Sequence, residues 1–190
     1  EEPFDALAAA DEFIRFHPHP PAAAYAYYLR GLVNFSPTLN IFDRLLPTDG
    51  TQRDLGTALD AYQDFASLVQ RYPDSEYAAD ARQRMLYLRN NLARNEIHIA
   101  RFYLKRGAFL AAANRANYVV QHYQRTPAVK TALEIMITAY TQLGLDQLAT
   151  DARKVLALNE DYGSLIDETQ FQQDPSWFEK AWNYLELDEN

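Results

Sequence analysis

The chain has 190 residues, 48% of them apolar, with six glycines, nine prolines and no cysteine; it is long enough to bury a core as one domain or a short repeat array, and the missing thiols exclude disulfides, thiolate catalysis and Cys-ligated zinc within it. No window holds the roughly 18 uninterrupted apolar residues that a membrane helix requires. The formal net charge of −8 conceals a segregation, because Glu1–Leu158 carries 17 Lys/Arg and 17 Asp/Glu whereas Asn159–Asn190 carries nine acids and one lysine, Lys180.

Residues 4–17 read as a first helix, with Ala10, Phe13 and Phe16 or His17 at helical spacing, stopped by His17-Pro18-His19-Pro20-Pro21. It is expected to be the second helix of a repeat whose first half precedes the chain, which begins at Glu1 and reads as a fragment or trimmed product. A second helix spans 22–35 and carries Tyr25, Tyr28, Leu32 and Phe35. Residues 36–53 read as an insertion: Pro37, Asn40, Pro47 and Asp49-Gly50 form turns, and Leu39, Ile41, Phe42, Leu45 and Leu46 are expected to pack on the array or meet a partner. The next helix, 54–71, has Ala58, Ala61, Tyr62, Phe65, Leu68 and Val69 on its inner face. Ser75 is the expected N-cap of the element that follows, with Asp74 and Glu76 suited to the helix dipole.

From Glu76 to Arg106 there is no glycine or proline. The stretch is either one extended helix or two with a kink near 90–95. If it is continuous, Ala81, Met85, Leu88, Leu92, Ile99 and Tyr103 share one side, and Arg94, Arg101 and Lys105 form an outward stripe. Gly107 turns the chain into a helix over 108–123 with Ala112, Ala116, Val119 and Val120 inward. Thr126-Pro127 restarts a helix to Leu143, Gly144 turns again, and 146–158 follows. The two turn glycines lie 37 residues apart, near the roughly 34-residue period of tetratricopeptide repeats. After Asn159 the pattern breaks. Asp161-Tyr162-Gly163 reads as a turn. Residues 174–185 read as a short amphipathic helix, capped by Asp174 or Ser176, with Trp177, Phe178, Ala181, Trp182 and Leu185 as its apolar stripe. That helix is expected to cover the last repeat, since the ends of repeat arrays need capping. The expected architecture is therefore all-α: a tetratricopeptide-type array of antiparallel helix pairs over 1–159, with an insertion at 36–53, and an acidic extension over 160–190.

Chemistry is sparse. His17, His19, His98 and His122 do not make a metal-binding pattern, and no Gly-rich phosphate loop, Gly-x-Ser-x-Gly or His-Glu-x-x-His occurs. The carboxylate pairs Asp11-Glu12 and Asp188-Glu189 have no apolar pocket to raise a pKa. Neither enzyme nor cofactor is expected. The informative signal is charge: between Ala81 and Leu133 stand Arg82, Arg84, Arg89, Arg94, Arg101, Lys105, Arg106, Arg115, Arg125 and Lys130 against a single acid, Glu96. Such a field attracts an acidic partner. A sequence pI near 5.0 argues against nucleic acid, whose binders run above about 9, so an acidic protein surface is the expected partner. An alternative reading is a peptide-binding or chaperone-like module using a tyrosine-lined face, Tyr25, Tyr28 and Tyr62.

Several stretches resemble the BamD family, tetratricopeptide lipoproteins of the outer-membrane β-barrel assembly machinery. They are Asp11-Glu12-Phe13-Ile14-Arg15-Phe16-His17-Pro18, Tyr25-Ala26-Tyr27-Tyr28-Leu29-Arg30-Gly31-Leu32, Phe65 to Ser75, and Ala100 to Ala108 continuing through Asn114-Arg115. The resemblance covers residues 4–159. It implies five repeats in a full member, of which this chain holds half of the second and the third to fifth, without the lipid-bearing cysteine. It also implies a place at the periplasmic face of the outer membrane, membrane attachment only through that absent lipid, and a POTRA domain of BamA as partner. Other lipoproteins of the complex and unfolded outer-membrane proteins are further implied partners. Arg115 matches a family arginine that pairs with an acidic POTRA residue, and Arg106 matches another near that surface. With Arg94, Arg101, Lys105 and Asn114 they form the expected partner-binding set. The segment after Asn159 departs from the family pattern.

Overall fold

The computed structural model describes residues 2–17, 22–35 and 50–160, with side chains described for 4–17, 22–35 and 56–158. Among the described residues there are seven α-helices and no strand: α1 (Glu2–Phe16), α2 (Ala22–Phe35), α3 (Gly50–Arg71), α4 (Ala78–Lys105), α5 (Phe109–His122), α6 (Ala128–Gln142) and α7 (Asp146–Glu160). The chain divides into two compact units, 1–99 and 100–190. The all-α architecture is the expected one, and several of its boundaries follow from prolines and turn glycines. The insertion up to residue 49 and the extension from 161 lie outside the described residues.

Three local expectations are settled differently or more narrowly. α3 begins at Gly50, not at 54. A glycine inside a helix costs only about 1 kcal/mol, and no proline interrupts the run up to Arg71, so the Asp49-Gly50 pair does not delay the start. The stretch after Glu76 is one continuous helix of 28 residues, with no break near 90–95. Ser75 is not its N-cap: the residues before Ala78 form turns, the Ala78 N–H donates to the Ser75 carbonyl at 3.0 Å, and the Ser75 hydroxyl is buried without a hydrogen-bond partner. Tight turns, rather than a side-chain cap, satisfy the backbone there.

In the first unit, α2 packs on both α1 and α3. Ala24 and Tyr27 of α2, Ala61, Phe65 and Leu68 of α3, and Ala81 and Leu88 of α4 form one buried cluster, with Ile14, Leu32, Phe35, Tyr62 and Met85 packed on it. These are the i, i+3/i+4 positions of each helix, the stripe that amphipathic periodicity selects. Alanine on α2 lets the helices approach closely. Gly31 carries this further, since a β-carbon there would lie 2.6 Å from Cδ1 and 2.8 Å from Cζ of Phe65.

Polar groups are buried in this unit as well. Arg30 bridges Asp11 at 2.6 Å and the buried Asp64 at 2.8 Å, and Asn34 Nδ2 donates to Asp64 Oδ2 at 2.9 Å. Burial pushes the Asp64 carboxyl above the ordinary carboxylate range, and Arg30 and Asn34 partly offset the shift. Arg84 is buried, pairs through Nε with Asp80, and stacks over Phe35 at 5.2 Å and Tyr28 at 5.9 Å. The Tyr28 hydroxyl donates to Asp80 Oδ2 at 2.6 Å. Burial, reinforced by that bond, raises its pKa, so the phenol stays protonated.

In the second unit, α6 packs on α5 and on α7. Ala112, Ala113, Ala116 and Val119 of α5, Ala132, Leu133, Ile135, Met136 and Ala139 of α6, and Ala149 and Ala152 of α7 are buried. α4 and α6 end in the same way. Gly107 and Gly144 adopt φ of +74° and +70°. The Gly107 N–H donates to the Leu104 carbonyl and the Ala108 N–H to the Tyr103 carbonyl; Gly144 to Thr141 and Leu145 to Tyr140 repeat the pattern. This paired arrangement satisfies the last helical carbonyls and requires the left-handed conformation. A β-carbon at either glycine would meet nothing within 4 Å, so the cost of substitution is backbone strain alone. Gly107→Ala and Gly144→Ala are each expected to lower stability by about 1 kcal/mol, read as a lower denaturant midpoint at unchanged slope. An unchanged midpoint would mean that the turns do not need glycine.

Candidate docking surface

The basic run divides unequally between the two units. In the first, Arg84 is buried in the core and is withdrawn from any surface. Arg89 is half-buried. Arg82 donates through Nη2 to the Pro73 carbonyl at 3.0 Å, and the exposed Arg94 donates to Asn91 Oδ1 at 2.6 Å. In the second unit, Arg101, Lys105, Arg106, Arg115, Arg125 and Lys130 are all exposed. No acid occurs between Ala100 and Leu133. The cationic field expected from sequence is therefore carried mainly by the second unit.

Local geometry places its members. Arg101 and Lys105 lie one turn apart on the last turns of α4, which ends at Lys105. Arg106 follows in the turn, and its guanidinium lies 4.7 Å over the ring of Phe102, four residues earlier. Phe102 is itself 52% exposed. α5 turns Ala112, Ala116 and Val119 inward, which leaves Asn114 and Arg115 on the solvent side. Tyr118, three residues beyond Arg115 and so on the same side, is exposed and packs against His122 with ring centroids 4.3 Å apart and against Tyr123 at 5.9 Å. Leu110 of the same helix is 59% exposed. Arg125 sits in the α5–α6 connection at φ 64°, a left-handed conformation costly for a residue with a β-carbon.

These apolar and aromatic companions did not enter the charge-based reading. Phe102 at i−4 of Arg106 and Tyr118 at i+3 of Arg115 are spacings that the sequence shows. Exposed Arg beside Tyr and Phe has the composition that protein interfaces favour at their energetic centres. The arrangement can present planar, multidentate donors to carboxylates with apolar contact beside them. It contains no general base paired with a nucleophile. Among the described residues no group of three His, Asp or Glu could hold a metal ion.

The tyrosines of the alternative reading are used unevenly. Tyr25 is 38% exposed, with Tyr77 at 5.5 Å. Tyr28 stacks on Tyr77 at 5.0 Å and gives its hydroxyl proton to Asp80. Tyr62 packs on the buried cluster.

Residues 1–156 match the protein family described as YfiO, outer membrane lipoprotein. Curated relatives named outer membrane protein assembly factor BamD are similar to the chain. That of Neisseria meningitidis serogroup A is 44% identical over 184 residues, covering 97% of this chain and 67% of the relative. That of Xylella fastidiosa is 40% identical over 155 residues, 82% of this chain and 53% of the relative. That of Vibrio cholerae is 37% identical over 153 residues, 80% and 64%. An alignment of 184 residues necessarily includes most of the stretch after Asn159, which the family match ending at 156 does not reach.

Proposed function

The chain belongs to the BamD family of outer membrane lipoproteins, and on that premise we propose that it is a non-enzymatic scaffold of outer-membrane protein assembly, whose second unit docks an acidic face of the POTRA region of BamA. The observation that carries this reading is the run of six exposed cations without an intervening acid, flanked by exposed Phe102 and Tyr118. Arg115 and Arg106 supply the guanidinium donors. Arg101 and Lys105 add to the field that steers an anionic partner, and Asn114 offers an amide beside Arg115. Arg94, in the first unit, contributes to the field alone. A location at the periplasmic face of the outer membrane, reached through a lipid anchor, goes with this reading. No helix among the described residues is long and apolar enough to cross a membrane.

The peptide-binding alternative draws less support. Of its three tyrosines Tyr25 is 38% exposed with the Tyr77 ring beside it, and Tyr28 and Tyr62 are engaged in the first unit's core.

Charge reversal separates these readings. Arg115→Glu is expected to weaken binding of the chain to the periplasmic domains of BamA several-fold or more at low salt, and the deficit should narrow as salt rises and screens the field. Arg115→Ala should change affinity by only about 0–1 kcal/mol if the pair is solvent-exposed. The measurement is calorimetric or interferometric titration at two salt concentrations. Unchanged affinity of Arg115→Glu at low salt would overturn the docking assignment.

A further inference from the structure

We propose that Arg125 is a further docking residue of the second unit, a guanidinium held by a strained turn to meet a carboxylate of an acidic partner; the inference rests on the docking reading above. Among the described residues Arg125 is the only non-glycine with a positive φ, 64°. A left-handed backbone drives the β-carbon toward the following carbonyl oxygen, and glycine or asparagine takes it more readily than arginine. The side chain is exposed. No described residue shares a hydrogen bond, ion pair or ring contact with its guanidinium, so nothing the arginine does within the described fold offsets the strain. Residues strained in this way persist where the surrounding structure holds them, and they concentrate at functional sites.

A second turn of the same chain provides the comparison. Tyr72-Pro73-Asp74-Ser75 follows α3, and Tyr123-Gln124-Arg125-Thr126 follows α5. The same three backbone bonds close both. The Tyr72 N–H donates to the Leu68 carbonyl at 2.8 Å, and Tyr123 to Val119 at 2.9 Å. Ser75 donates to Tyr72 at 3.1 Å, and Thr126 to Tyr123 at 3.3 Å. Ala78 donates to Ser75 at 3.0 Å, and Val129 to Thr126 at 3.2 Å. Asp74 makes its turn without a positive φ, so this bonding does not itself demand a left-handed residue. Turn chemistry favours Asp, Asn and Gly. An acid therefore stands in the third place of the first turn by ordinary preference, whereas the arginine in the second matches the cationic field of its unit and not the needs of the turn.

The flanks of Arg125 are fixed. Thr126 is buried, and its hydroxyl donates to the Tyr123 carbonyl at 2.7 Å. Pro127 follows at φ −58°. The Tyr123 ring lies 5.9 Å from that of Tyr118, which shares the side of α5 that carries Arg115. The turn thus adjoins the docking face through this pair of rings. A guanidinium whose backbone is fixed beforehand loses less freedom when a carboxylate engages it.

Arg125→Gly and Arg125→Asn remove the charge and suit the left-handed backbone. Both are expected to keep or raise the denaturant midpoint. Both should weaken binding of the chain to the periplasmic domains of BamA several-fold at low salt, with a deficit that narrows as salt rises. Arg125→Lys retains charge and strain and should recover most of the salt-dependent part. A lower midpoint for both uncharged variants would overturn the proposal, because the arginine would then serve the fold. Arg115→Glu, titrated alongside, tests the docking face independently. If it weakens binding while the Arg125 variants bind normally, the face stands and Arg125 has no part in it. If neither position affects binding, the docking reading falls and the assignment of Arg125 falls with it.

Discussion

Phe65→Ala is expected to lower the stability of the first unit by about 3–5 kcal/mol, the largest effect of any single truncation among the described residues. Phe65 is fully buried in the cluster shared by α2, α3 and α4, with the rings of Tyr28 at 6.1 Å and Phe35 at 6.2 Å. Its loss removes the transfer term and leaves a cavity whose lining helices cannot collapse freely. Gly31 makes the mechanism specific. A side chain grown from Gly31 points into the ring of Phe65, so Gly31→Leu alone should cost about 3 kcal/mol by overpacking. In the Phe65→Ala background the same leucine has a cavity to fill, and the double variant should be more stable than the sum of the single effects requires. Chemical denaturation followed by circular dichroism supplies the four free energies. Strict additivity would show that the two positions do not share space.

Arg30→Met should cost about 3 kcal/mol at neutral pH, because it strands the Asp64 carboxylate. Removing one member of a buried ion pair leaves an uncompensated charge, which is worse than removing both. Asn34 remains as a donor, and Arg30 is partly exposed, which keeps the expected loss at the low end of the range for buried pairs. The sign of the pH dependence follows from the raised Asp64 pKa. Between its unfolded value and its higher folded value the native state binds more protons, so stability falls as pH rises through that window. Without Arg30 the folded value moves higher still. The deficit of Arg30→Met relative to the unmodified chain should therefore shrink on acidification toward the ordinary carboxylate value and be greatest above the folded pKa. Asp64→Asn in the Arg30→Met background should recover most of the loss at neutral pH. A deficit independent of pH, with no recovery, would assign the effect of Arg30 to packing of its aliphatic stem.

Helix boundaries were legible where a residue type forces one geometry. Pro18, Pro73, Gly107, Pro127 and Gly144 punctuate the chain, and the apolar faces of α3 and α5 followed from period alone. What escaped depends on partners distant in sequence. Arg84 counted as one more cation in a basic run; only the fold brings Tyr28 and Phe35 of α2 onto it and sends it inside. Arg30 and Asp64 meet across 34 residues, and nothing local in the sequence pairs them. Ser75 has a capping chemistry that the turns before Ala78 leave unused. The cations of the second unit were legible because no acid interrupts them, whereas their aromatic companions were not, since periodicity cannot separate an exposed ring from a buried one.

The stacking of Arg106 on Phe102 bears on how tightly a surface of this kind can hold its partner. A free arginine side chain surrenders much of its rotational freedom when it is pinned by a carboxylate. Laid against an aromatic plane beforehand, it arrives with part of that entropic penalty already met. Phe102 can thus raise affinity by restraining its neighbour in the unbound molecule, even where the ring itself never touches the partner.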